Sequence, residues 1–232
     1  MNIQGYQKIT LLDFPSKVAC TVFTGGCNLA CPFCHNARLV RAPMAYDSAE
    51  AEVLAYLTKR RGIVEGVCIT GGEPLLQADL ADFMRRVKEM GYAIKLDTNG
   101  ALPDRLAEIL SLGLVDYIAM DIKSSPEGYA KAVGRAVDFA PFAKSIALIR
   151  ESGIAHEFRT TVVKGIHTKA DLVAIAEHIG DEAYFLQGFV DSGALLGEGC
   201  EAFSAAEMGG FIRAVRRHTP RAQLRGVEEL PT

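Results

Sequence analysis

What most constrains the fold of this chain is its alternation of short apolar runs with amphipathic stretches. Strand-like runs are expected at residues 18–24, 66–70, 92–97, 116–121, 156–163 and 183–189, with a short run at 223–227 to close. Between them helices are expected from an Asp47-Ser48 cap to about 61, at 77–90 closed by Gly91, at 103–112, within 126–152, at 169–179 and at 204–218. Asp or Ser at a helix start accepts from the free N–H groups of the first turn. Parallel strands need a crossover, usually a helix, and strands this apolar suit burial on both faces. Six such units fall short of the eight in a closed barrel of roughly 250 residues. The expectation is an α/β fold, an open, partial (β/α)6 TIM-like barrel, with a flavodoxin-like layered sheet as the other arrangement. Either way ligands sit at the carboxyl ends of the strands.

At 232 residues the chain has room for one sizeable core, so a single domain over 1–232 is expected. Its 49% apolar and 23% charged residues are ordinary for a globular protein. A net charge of −3 leaves no basic footprint for nucleic acid. Residues 1–8 lack the apolar core of a signal peptide. No apolar run approaches the roughly 18 residues of a membrane span. A cytoplasmic protein with reduced thiols is therefore expected.

Three of the six cysteines stand within eight residues, Cys27-Asn28-Leu29-Ala30-Cys31-Pro32-Phe33-Cys34. Thiolates this close can converge on one iron–sulfur cluster, and a four-iron cluster takes four ligands. With no obvious fourth cysteine, one iron stays open to another ligand. A disulfide framework fits poorly, since three is odd and nothing looks secreted. Structural zinc wants four N or S ligands. His35 could be offered as the fourth, but it adjoins Cys34, and adjacent side chains rarely reach one metal together. Cys20 and Cys68 read as small buried hydrophobes, and Cys200, in a glycine-rich loop, as a free thiol.

Polar residues gather where the strand-like runs end. Gly71-Gly72-Glu73-Pro74 follows the second run. Two glycines let backbone approach a ligand, and a carboxylate beside them can accept from an ammonium group. The same residues could equally make a tight strand-to-helix turn. Asp97-Thr98-Asn99-Gly100 follows the third run, Asp121-Ile122-Lys123 the fourth, and Arg159 lies on the fifth. Together they outline a pocket of carboxylates and cations above the sheet. Gln187 either lines it or is a plain polar strand end, and His167 is expected at the surface.

On these motifs the chain resembles radical S-adenosylmethionine (SAM) enzymes, with residues 27–34 as the cluster motif and 71–74 as the SAM motif. Residues 10–15, 23–27, 34–36, 97–100, 120–123 and 224–226 extend the resemblance to glycyl-radical-enzyme activases, nearest to those of anaerobic ribonucleotide reductase and pyruvate formate-lyase. The resemblance implies that Cys27, Cys31 and Cys34 hold three irons of a 4Fe–4S cluster whose open iron takes the methionine part of SAM. It implies that Phe33 packs on the adenine, with His35 and Asn36 near the base. Glu73, with Gly71 and Gly72, would receive the methionine ammonium; Lys123 and Arg159 would face its carboxylate. Asp97, Thr98 and Asp121 would hold ribose or a monovalent cation. The implied activity is reductive cleavage of SAM to a 5′-deoxyadenosyl radical, which installs a glycyl radical on a partner enzyme, with flavodoxin or ferredoxin as reductant. No cysteine pairs frame a second cluster, so one is expected, and residues 188–197 match the activases only loosely. Two other readings stay open: a radical SAM enzyme acting directly on a small molecule or peptide, and a non-catalytic electron-transfer module. The second leaves Glu73 and the other strand-end residues unexplained.

Overall fold

In the computed structural model, which describes residues 1–41, 49–191 and 193–227, the strands lie side by side in chain order. They are β1 (Ile3–Thr10), β2 (Ala19–Thr24), β3 (Gly66–Gly71), β4 (Ala93–Thr98), β5 (Tyr117–Asp121), β6 (Ala155–Val162), β7 (Tyr184–Gly188) and β8 (Gln223–Arg225). Neighbours from β2 to β8 pair in parallel, whereas β1 runs antiparallel to β2. Among the described residues β1 pairs only with β2 and β8 only with β7, so the sheet does not close. The architecture is a partial, open TIM-like barrel. A strand order that never reverses has no switch point, which excludes the flavodoxin-like alternative.

The six expected strands are β2 to β7, and the short closing run is β8. The edge strand β1 was not expected. Gln4, Gln7 and Lys8 break its apolar pattern, and two register irregularities interrupt its pairing with β2.

The helices are α1 (Ala37–Arg41), α2 (Ala49–Lys59), α3 (Leu80–Glu89), α4 (Pro103–Ser111), α5 (Tyr129–Val133), α6 (Ala140–Glu151), α7 (Lys169–Ile179) and α8 (Ala205–Val215). The Asp47-Ser48 cap falls outside the described residues. α3 starts at Leu80 rather than at 77, because a 3-10 turn, Pro74–Leu76, comes first and Gln77 is used otherwise. Its amide donates to Gly25 O (2.9 Å) and accepts from Asn2 N–H (3.1 Å), tying the β3–α3 connection to the β2 end. α7 and α8 open on capping boxes, Thr168 with Asp171 and Ser204 with Glu207, each satisfying two otherwise free donors.

Ile69, Leu96, Ile118 and Phe158 from the strands are fully buried, as are Leu57, Phe83 and Ile109 from the helices outside. Each such side chain contributes about 1.5–3 kcal/mol of transfer free energy, and this core holds the strand ends in place. At the opposite end of the sheet, Phe14 is buried against Gly66 and lies 6.1 Å from the Tyr117 ring. Its turn is pinned by Thr10 Oγ1, which accepts from Leu12 and Asp13 N–H, and by Thr21, which donates to Asp13. Among the described residues no helix is long and apolar enough to cross a membrane.

Candidate active site

The cysteine loop leaves the carboxyl end of β2 and is clamped from two sides. Ala30 N–H donates to Val133 O at the end of α5 (2.9 Å), and Gly197 N–H donates to Pro32 O (2.8 Å). Gly134, left-handed at φ 65°, passes so near that a Cβ there would stand 2.4 Å from Ala30 O. Sequence reasoning missed both clamps, since nothing near Gly134 or Gly197 signals that it will meet residues 30–32. Within the loop Cys34 N–H donates to Cys31 O (3.1 Å). Cys27, Cys31 and Cys34 all line one cavity of about 170 Å³.

Burial pushes the Cys31 thiol up to about 11 and the Cys27 thiol upward too, with nearby Lys123 pulling the other way. As free groups they hold their protons, which metal binding would release. Among the described residues no three His, Cys, Asp or Glu side chains are gathered around a single-ion position. A cluster asks for something different, one thiolate for each iron. Three thiols from one clamped loop around a shared cavity fit that demand.

The glycine corner has a structural reason of its own. Gly72 N–H donates to Thr24 O (2.9 Å) and Glu73 N–H to Gly26 O (2.8 Å). A Cβ on Gly72 would stand 1.9 Å from Gly26 O, and Gly71, at φ 115°, would place one 2.4 Å from Thr24 N. The glycines thus allow backbone to pack on backbone, and both also line the cavity. Glu73 does not. Its carboxylate is turned into the protein, where Oε1 accepts from Leu75 N–H (3.0 Å) and the Thr98 hydroxyl (2.9 Å), and Oε2 from Asn99 N–H (2.7 Å). It caps the 3-10 turn. Burial outweighs these three neutral donors and pushes its pKa up to about 7.

A charged strip crosses β4, β5 and β6. Arg159 Nε donates to Asp121 (2.8 Å) and its Nη1 to Asp97 (3.1 Å). Lys95 pairs with the second Asp97 oxygen, and Lys123 with the second Asp121 oxygen at 3.2 Å. Asp97, Asp121 and Lys123 line the cavity, whereas Arg159 does not. Arg159, expected to face the same ligand group as Lys123, has its guanidinium paired with two carboxylates. Desolvation alone would raise Asp121, but Arg159 and Lys123 outweigh it and hold the carboxyl well below its usual range. For Lys123, burial pulls the pKa down while Asp121 and Cys31 carry it up. Glu157 continues the strip to β8 through a two-pronged contact with Arg225 (2.9 and 3.0 Å).

Phe33 is buried on the cavity wall with the His167 ring edge-on, 6.1 Å between centroids. His167 is therefore not the surface residue expected. It is 4% exposed, with Nδ1 accepting from Val163 N–H (3.0 Å) and Nε2 2.7 Å from Lys123 O. Those partners fix the neutral tautomer protonated on Nε2, and burial keeps the pKa low. His35 is exposed with its ring tilted against Phe189, 5.6 Å between centroids, while Asn36 donates to Gly71 O (3.3 Å). Both line the first cavity and also a second, of about 880 Å³, with Phe23 and Leu195. Gln187 pairs in register with Thr161 and Arg225 and is not on the first cavity's wall. Cys200 is half-buried and free. Asn99, part of the third strand-end motif but given no role of its own, lines the cavity, and so does Thr161, which the sequence did not single out.

A family model described as the radical SAM superfamily matches residues 21–179, which carry the cysteine loop, the glycine corner and the charged strip. The chain belongs to the radical SAM superfamily. Membership implies a 4Fe–4S cluster and SAM. Over 193 residues this radical SAM protein is 30% identical to a Methanocaldococcus jannaschii protein provisionally named a glycyl-radical enzyme activating enzyme, covering 81% of this chain and 79% of that one. It is 28% identical over 191 residues to the GTP 3′,8-cyclase of Aquifex aeolicus, covering 78% of this chain and 59% of the cyclase. Among solved structures it resembles Streptococcus suis SuiB bound to its precursor peptide, with a TM-score of 0.69 at 17% identity, over 89% of this chain and 48% of that one. The chain thus spans little more than half of the cyclase and about half of SuiB.

Proposed function

We propose that this radical SAM enzyme installs a glycyl radical on a partner enzyme such as an anaerobic ribonucleotide reductase. The observation that carries the reading is the meeting of three thiols from one loop with Gly71, Gly72, Asp97, Asp121 and Lys123 around one cavity. A 4Fe–4S cluster with SAM would supply one-electron reductive cleavage of the sulfonium and, through it, hydrogen-atom abstraction.

The chain's own residues bind and orient. Cys27, Cys31 and Cys34 would each hold one iron and leave the fourth open. Phe33, backed by His167, offers a flat apolar wall for the adenine, with His35 and Asn36 at its edge. Gly71 and Gly72, both on the cavity wall, let the backbone come close enough for its carbonyls to accept from the methionine ammonium. Glu73 has three donors already and room for a further one on its oxygens. Lys123 faces the methionine carboxylate, and Arg159 acts one step back by orienting Asp97 and Asp121. For Asp97, Thr98 and Asp121 we favour ribose hydroxyls over a monovalent cation. Two of these are carboxylates that already share Lys95, Arg159 and Lys123. A flavodoxin or ferredoxin would supply the electron. Residues 1–232 would act as one domain in the cytoplasm, where thiols stay reduced.

The cyclase relative favours a second reading, direct chemistry on a small molecule. The test is anaerobic reconstitution, then SAM with dithionite and assay for 5′-deoxyadenosine, with Cys31→Ala as control. Product from the wild type and none from Cys31→Ala is expected; equal product from both would sink the cluster assignment. Adding candidate glycyl-radical enzymes and watching for a glycyl radical by electron paramagnetic resonance separates the two readings.

A further inference from the structure

We propose that Asn99 is a positioning residue that donates a hydrogen bond to the cluster thiolate of Cys27 and joins it to the Glu73 corner; this rests on the radical SAM reading above. Asn99 follows β4 and is 6% exposed. Its amide can face only one way. Oδ1 accepts from Ala101 N–H (2.9 Å), which leaves Nδ2 pointing at Asn28 Oδ1 (2.8 Å) and Cys27 Sγ (3.8 Å). Two Nδ2 hydrogens thus meet two acceptors, and a flipped amide would set oxygen against oxygen at Asn28. The main chain of the same residue donates to Glu73 Oε2 (2.7 Å). One residue therefore grips the first cysteine with its side chain and the corner carboxylate with its backbone, across loops 72 residues apart for Asn99 and Cys27.

The consequence is electrostatic. A hydrogen bond to a thiol is weak, but the same donor facing a thiolate is charge-assisted and stronger. Hydrogen bonds to the sulfurs help set a cluster's reduction potential. A donor favours the more negative, reduced cluster, so Asn99 raises the potential and eases reduction. A purely structural role would instead rest on the turn acceptor to Ala101.

Two substitutions separate these roles. Asn99→Ser keeps a short oxygen that can accept from a turn N–H but cannot reach Cys27. Asn99→Asp keeps shape and turn acceptor and puts an oxygen in place of the donor. Reconstituted wild type and both holoenzymes would be titrated potentiometrically, with the reduced cluster followed by electron paramagnetic resonance. At the wild-type midpoint, the reduced-to-oxidised ratio of Asn99→Ser should fall about tenfold, which is about 59 mV for a one-electron couple. Asn99→Asp should fall further. Wild-type midpoints in both variants would overturn the proposal while leaving the functional reading intact. Wild-type protein that holds no four-iron cluster would overturn both.

Discussion

Glu73 and Asp121 are acids at the carboxyl ends of neighbouring parts of one sheet, and their surroundings drive them in opposite directions. Glu73 is 1% exposed and sees only neutral donors, so burial decides and its pKa rises to about 7. The Asp121 side chain keeps 30% of its surface, and Arg159 and Lys123 hold its carboxyl low despite desolvation. Hydrogen bonds from neutral groups satisfy a buried carboxylate without neutralising it; a guanidinium does both. One acid is thus held by neutral donors and the other by cations.

The hardest blow to this contrast is Arg159→Met, which leaves Asp97 and Asp121 without the cation that bridges them. Removing one partner of such a network costs about 4 kcal/mol, so the denaturant midpoint should drop clearly. A midpoint within error of wild type would mean that the strip does not hold β4, β5 and β6 together.

A pH series sharpens the contrast. Because Glu73 has its pKa raised from 4.5 to about 7, the folded protein binds the extra proton between those values. Stability relative to Glu73→Gln should therefore fall as pH rises from about 4.5 to 7, by something on the order of 3 kcal/mol, and level off above. Asp121 runs the other way. Its contribution relative to Asp121→Asn is present above the usual carboxylate range and is lost as pH falls through it. Equilibrium denaturation across pH checks both slopes, and slopes of the same sign would remove the contrast.

His167→Phe tests the support behind the strip. It keeps an aromatic ring against Phe33 but leaves Lys123 O and Val163 N–H without their partner. The loss should be about 2 kcal/mol, read as a lower melting temperature. No change would mean that these groups find other partners.

How much could be read in advance varies with how local each feature is. Strands β2 to β7 were legible because each is a short apolar run that needs burial on both faces whatever its neighbours do. β1 was not, because an edge strand can carry polar residues such as Gln4, Gln7 and Lys8 and still pair. The cysteine spacing announced a shared ligand, since eight residues of chain cannot carry their thiols far apart. His167 gave no local sign of its burial, which Phe33 and the Lys123 carbonyl decide from far away in the chain. Arg159 was legible as a cation on a strand but not as one already engaged, because Asp97 and Asp121 lie 62 and 38 residues away.

By itself, then, the sequence determined the α/β alternation, the cysteine triplet and the glycine corner, because short-range spacing and backbone freedom fix these within a few residues. Only the tertiary structure decided which way each strand-end charge faces. It turned Glu73 inward, gave Asp121 to Arg159 and Lys123, and set Asn99 between Glu73 and Cys27. Such choices depend on desolvation and pairing, and both exist only once distant strands have been brought side by side.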